Sequence, residues 1–219
     1  MNVVERVEQA KASLKVFPLP PVVLFPNAIV PLHIFEPRYR QMVRDALDGD
    51  QLIVMAGYDP TWTGEGDDRH APLAPIACVG SIVWNEETGD GRYNLLLQGV
   101  VRVRILEERD VDTPYRQVRG EVLIDPTYDG PENELLRQAM LELSGRLPPQ
   151  VLEPLLQIAI HLEGGALADV IAGTLVQERD RRAELLTELD VRTRLQRVLE
   201  DVGELLLRLG PSDVPSYPN

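Results

Sequence analysis

Lysine is nearly absent from this 219-residue chain. Of 22 basic residues only Lys11 and Lys15 are lysine, and the other twenty are arginine. That scarcity excludes chemistries that run through lysine. A phosphate-cradling loop of the form G-x-x-x-x-G-K-[ST] uses its lysine to reach the β- and γ-phosphates, and neither lysine follows a glycine-rich loop. A Ser–Lys peptidase dyad needs a buried lysine beside its serine. Both lysines lie in a polar N-terminal stretch, and no catalytic motif surrounds Ser13. Cysteine is scarcer still. Cys78 stands alone, so no intrachain disulfide can form, which fits a reducing compartment.

The three histidines, His33, His70 and His161, are scattered and show neither C-x-x-C nor H-x-x-x-H spacing, so no metal is expected. The segment Asp59–His70 faintly resembles a calcium loop, but Thr61, Thr63 and His70 stand where such a loop needs oxygen-rich ligands. No G-x-S-x-G nucleophile elbow occurs, because Ser81 lies between Val79 and Val83. The paired carboxylates Asp67-Asp68 and Glu86-Glu87 sit in expected loops and read as solvated charge. Cys78 falls in an apolar strand pattern and reads as an inert buried thiol. The expectation is a chain that is not an enzyme and carries no cofactor.

Basic clusters and long apolar runs are also missing. Net charge is −13 and is spread evenly: residues 1–126 hold 13 basic and 19 acidic groups, residues 127–219 hold 9 and 16. Phosphate backbones are bound by clustered Lys and Arg that release counterions. Nucleic acid and an anionic membrane surface are therefore not expected partners. No stretch reaches the ~18–20 apolar residues that span a bilayer. The N-terminus is interrupted by Glu5, Arg6 and Glu8 and lacks the apolar core of a signal peptide. A cytoplasmic location is expected.

What the chain has in abundance is proline in one place. The segment Phe17–Leu47, FPLPPVVLFPNAIVPLHIFEPRYRQMVRDAL, sets Pro18, Pro20, Pro21, Pro26, Pro31 and Pro37 among aliphatic residues. Proline cannot donate to a central ladder, so short, broken or edge strands are expected up to Phe35. A helix then opens at Pro37, with Tyr39, Met42, Val43, Ala46 and Leu47 on one face and Gly49 just past its end. Leu24, Ile29, Leu32 and Ile34 are expected in the core.

Further on, Gln51–Tyr58 reads as a short strand, and Ile76–Trp84 and Tyr93–Gln98 as a hairpin around Asn85–Arg92. Val101, Val103 and Ile105 alternate with Arg102 and Arg104, the period of a strand with one buried face. Gln117–Ile124 closes the β-region, and Asp125–Asn133 is a linker by composition. The period then turns helical: Glu134–Leu147, Val151–Leu162, Ala166–Val176, and a leucine-rich run from Glu184 that breaks near Asp190, a candidate helix cap. His161 is placed late in its helix. The leucines are assigned to a bundle core rather than a coiled coil, since no heptad run is sustained. The expected domains are a polar lead-in at 1–15, a β-rich domain at 16–126, a helical bundle at 127–209 and a disordered tail at 210–219.

Four blocks carry a family resemblance. They are the Phe17–Leu47 segment; VGSIVWNEETGDGRYNLLLQGVVRVRI at 79–105; Thr113-Pro114-Tyr115; and LADVIAGTLVQERDRRAELLTELDVRTRL at 167–195. Together they resemble the N-terminal substrate-binding domain of Lon proteases, without that enzyme's ATPase and peptidase motifs, as in a stand-alone copy. The resemblance implies an α+β fold: a twisted β-sheet or pseudo-barrel of PUA-like type with one inserted helix, followed by a helical bundle. Asn27 stands where the family often has glycine, and Asn tolerates the left-handed turn that glycine supplies.

The resemblance further implies a module that captures unfolded or degron-bearing polypeptides through their exposed apolar segments. Two other readings stay open: an adapter that docks on a full-length Lon protease, and a small-ligand or enzymatic role in a β-domain pocket. The oligomeric state is open. The candidate peptide-binding residues are Phe25, Pro26, Pro31, Phe35, Glu36, Arg38 and Tyr39. Each could equally serve the core, and the acidity of the chain favours basic or neutral clients.

Overall fold

A computed structural model describes residues 2–64 and 70–210. The expected tail beyond Gly210 and the Asp67-Asp68 pair lie outside the described residues. The chain divides into two compact units, Met1–Ile124 and Asp125–Asn219.

The first unit begins with a helix, α1 (Val3–Ala10), inside the segment expected as lead-in. Asn2 and Glu5 form a capping box: the Glu5 N–H donates to the Asn2 side chain at 2.8 Å and the Asn2 N–H donates to the Glu5 carboxylate at 2.9 Å. These two bonds satisfy donors that the first helical turn leaves orphaned. Val7 is fully buried and anchors the helix to the core.

Six strands follow: β1 (Leu14–Pro18), β2 (Ile29–Ile34), β3 (Leu52–Ala56), β4 (Ile76–Glu87), β5 (Tyr93–Glu108) and β6 (Gln117–Leu123). Their order is β2-β5-β4-β3-β1-β6, and β5 also pairs with β6. The sheet thus closes on itself as a pseudo-barrel and, among the described residues, leaves β2 paired with β5 alone. The long β5 makes this possible: its first half pairs with β2 and its second half with β6. The barrel core gathers Val16, Leu52, Val54, Val79, Val103 and Val118, largely β-branched residues that suit a pleated surface.

Among the described residues, helix α2 (Pro37–Leu47) is the one inserted between strands. Pro37 occupies its first position, and Tyr39, Met42, Val43 and Ala46 are buried. Gly49 stands just past its end, as expected, and its N–H donates to the Ala46 carbonyl at 3.1 Å, but the left-handed residue is Gln51 (φ 59°), whose N–H reaches the same carbonyl at 2.8 Å.

The second unit holds α3 (Glu132–Glu142), α4 (Pro149–Ala159), α5 (Gly164–Leu175), α6 (Arg179–Thr187) and α7 (Val191–Leu209). Asp190 caps α7 by accepting from the Thr193 N–H at 2.7 Å. α4 ends at Ala159, so His161 lies beyond the helix rather than late in it. Leu136, Met140, Leu167, Ile171, Leu185, Leu195 and Val198 form the bundle interior. Arg194 is fully buried there and is ion-paired with Asp125 and with the equally buried Asp169. No helix among the described residues is long and apolar enough to cross a membrane.

Candidate functional site

The proline-rich segment builds its site from a turn. The Ala28 N–H donates to the Phe25 carbonyl at 3.1 Å, with Pro26 and Asn27 between them and Asn27 at φ 66°. Proline at the second position and a left-handed third residue define a type II turn. Asn27 therefore takes the conformation that glycine would. Gly99 of β5 lies against this turn so closely that a Cβ there would sit 2.0 Å from the Phe25 oxygen. Gly99 also accepts from the Asn27 N–H at 2.9 Å and donates to the Ala28 carbonyl at 2.8 Å.

That last bond sets the phase of β2. In an antiparallel ladder alternate residues turn their peptide groups toward the partner. Ala28 faces β5, so Val30, Leu32 and Ile34 do too. The peptide groups of Ile29, Pro31 and His33 point to the open edge. Pro31 is thus at a position where its missing N–H costs no bond to β5.

The same alternation sorts the side chains. Leu32 and Ile34 are buried, whereas Ile29 (55% exposed), Pro31, His33 and Phe35 (59%) are exposed. Ile29 is not a core residue, because its parity with Pro31 puts it on the outer face. The row continues across the sheet: Pro31 is opposite Leu96, and Leu96 is opposite Trp84. Trp84 is 48% exposed, and Val83, at a register shift in β4, is 49% exposed beside it. Next to this apolar row His33 bonds Asn94 at 2.8 Å and stacks on Phe35, with ring centroids 6.2 Å apart.

The seven candidate residues therefore separate. Pro31 and Phe35 lie on the exposed face. Phe25 and Pro26 are buried in the turn. Tyr39 is buried, its ring 4.6 Å edge-on from Phe17, and the Arg38 guanidinium sits 4.5 Å over it. Glu36 is the N-cap residue of α2, but its carboxylate caps nothing and pairs instead with Arg38 at 2.9 Å. Ile29, Val83, Trp84 and Leu96 complete the face and were not among the candidates. The parity of Ile29 with Pro31 was the signal available for the first of them.

A cavity of about 360 Å3 opens beside the start of α2, lined by Arg38, Tyr39, Arg109, Tyr115 and Arg116 among others. Two of its polar side chains, Arg116 and Tyr115, are engaged within the protein. Arg116 forks onto Glu108 at 2.6 and 2.5 Å and donates to the Ala71 carbonyl. The Tyr115 hydroxyl donates to Asp45 at 2.7 Å, and burial, with Asp45 beside it, holds that phenol well above its ordinary pKa. These are the marks of structural pairing rather than of an acid–base couple poised for chemistry. Among the described residues no group of three or more His, Cys, Asp or Glu could hold a metal ion.

The fold defines a class. It is shared with a Lon N-terminal domain protein from Xanthomonas campestris (TM-score 0.65, 24% identity, 86% of this chain and 98% of that one). It is shared also with the N-terminal domain of Mycobacterium avium complex Lon protease (TM-score 0.68, 16% identity, 89% and 100%). The sequence makes the assignment more specific. The ATP-dependent protease La (LON) substrate-binding domain matches residues 13–202, and the chain belongs to that family. Lon protease of Dictyoglomus thermophilum is 31% identical over 189 residues, and that of Desulfosudis oleivorans 26% over 206. The match takes in 84% and 90% of this chain, which spans only 23% and 25% of those proteins.

Proposed function

We propose that the chain is a non-enzymatic polypeptide-binding module that takes exposed apolar segments of unfolded or degron-bearing proteins. The observation that carries this reading is the solvent-exposed apolar row Ile29, Pro31, Phe35, Val83 and Trp84 on the outer face of β2, β5 and β4. Contiguous apolar surface of this kind is left in water at a cost that binding removes. Membership of a substrate-binding family supports the same reading. Phe25, Pro26 and Tyr39 serve it indirectly by fixing the turn and the helix that launch and follow β2. The Glu36–Arg38 pair borders it.

The test is binding of reduced, carbamidomethylated ribonuclease A, a soluble unfolded chain, followed by fluorescence anisotropy. The expected result is saturable binding, absent with native ribonuclease A, and weakened about tenfold by Trp84→Ser, since exposed aromatics dominate such interfaces. No binding at high micromolar concentration, or an unchanged affinity in the variant, overturns the proposal.

A further inference from the structure

We infer that the client is held as an added β-strand along the free edge of β2, a mode that rests on the polypeptide-binding reading above. Three observations point to it. Among the described residues β2 pairs only with β5, so its other edge has no strand. The Gly99-to-Ala28 bond puts the N–H and C=O groups of Ile29 and His33, and the C=O of Pro31, on that edge. The side chains of the same residues, with Phe35 beyond them, lie exposed on the outer face.

An extended chain laid antiparallel along β2 meets all three features at once. Its residues opposite Ile29 and His33 exchange both ladder bonds, and the one opposite Pro31 donates to that carbonyl. Those guest residues face the same way as Ile29, Pro31 and Phe35, so their side chains extend the apolar row. The guest is therefore an extended segment with apolar residues at alternate positions and neutral or basic residues beside them. Glu36, Glu86 and Glu87 flank the face, and the whole chain carries −13.

A second copy of this chain is the poorer occupant. In a two-fold β2–β2 pairing both strands bring a proline and both lose a donor, whereas a proline-free guest forfeits only the bond that Pro31 lacks.

The experiment uses a labelled peptide alternating Val or Phe with Thr, flanked by arginine, and two isomers of it. One isomer is N-methylated on its apolar residues, the other on its threonines. Both keep every side chain. In an antiparallel strand the apolar residues supply the N–H groups that bond to β2, so methylating them weakens binding about tenfold or more while methylating the threonines changes little. Loss in the threonine-methylated isomer alone also supports strand addition, in the parallel sense. Equal affinities for the two isomers overturn strand addition and leave side-chain capture standing. A parent peptide that does not bind overturns both readings.

His33→Pro locates the site. It removes an outward N–H and no bond to β5, so it weakens the parent peptide about tenfold, while His33→Ala stays within about twofold. Equal binding by these two variants overturns the assignment to β2. So does a wild-type chain that sediments as a dimer dissociated by His33→Pro.

Discussion

Glu132 shows how one side chain organises its surroundings. Its carboxylate accepts from the Tyr128 hydroxyl, from Arg192 at 2.8 Å and from Gln196 at 3.0 Å, tying the start of α3 to α7. The Tyr128 bond, then a backbone N–H, then Arg192 stabilise the ionised form and pull its pKa from 4.5 to about 2. A folded-state pKa below the unfolded one means the native state is favoured while the group is charged. The contribution is complete above about pH 4.5 and fades as the pH falls toward 2. Glu132→Gln should therefore lower the melting temperature at pH 7, with the gap to wild type closing between pH 4.5 and 2 by circular dichroism. A gap that stays constant over that range would show that the carboxylate's charge is irrelevant. Arg194 poses the opposite problem: a fully buried guanidinium, which the bundle tolerates because Asp125 and Asp169 both pair with it.

At the scale of elements, α1 is the clearest surprise. Half of its eight residues are apolar, Val3, Val4, Val7 and Ala10, yet an isolated helix that short is marginal. What stabilises it is local and tertiary at once: the Asn2–Glu5 capping box and the burial of Val7. Asn2→Ala removes the cap and should cost about 1 kcal/mol, read as a lower urea midpoint at unchanged slope. A midpoint equal to wild type would mean that tertiary contacts, the burial of Val7 and the Arg6 bonds to Asp50 and Ser81 among them, hold the helix without the cap.

The N-x-x-E pattern of the capping box was present in the sequence. The burial of Val7 was not, because it depends on strands far along the chain. The same division holds for the site. The Pro26-Asn27 turn, the Pro37 start of α2 and the Asp190 cap of α7 are local chemistry and were legible. The outer placement of Ile29 follows from parity with Pro31, once Pro31 is known to point outward. The contribution of Val83 and Trp84 depends on the register shift in β4, which breaks period two and leaves no mark in composition.

For the whole molecule, charge bears on which clients the proposed apolar face would admit. The excess of acid over base is present in residues 1–126 and in residues 127–219 alike, so neither half offsets the negative charge of the other. Electrostatic fields act mainly on encounter and partner choice, and they are screened beyond a distance of ~10 Å at 0.1 M salt. Apolar contacts are not weakened by that screening. Two peptides with the same alternating apolar core but arginine or glutamate flanks should thus differ most at low salt. Raising salt from about 0.02 to about 0.5 M should weaken the arginine-flanked peptide and strengthen the glutamate-flanked one until their affinities converge on the value set by the shared core. Parallel salt curves for the two peptides would mean that the field does not reach the site, and selection would then rest on the apolar face alone.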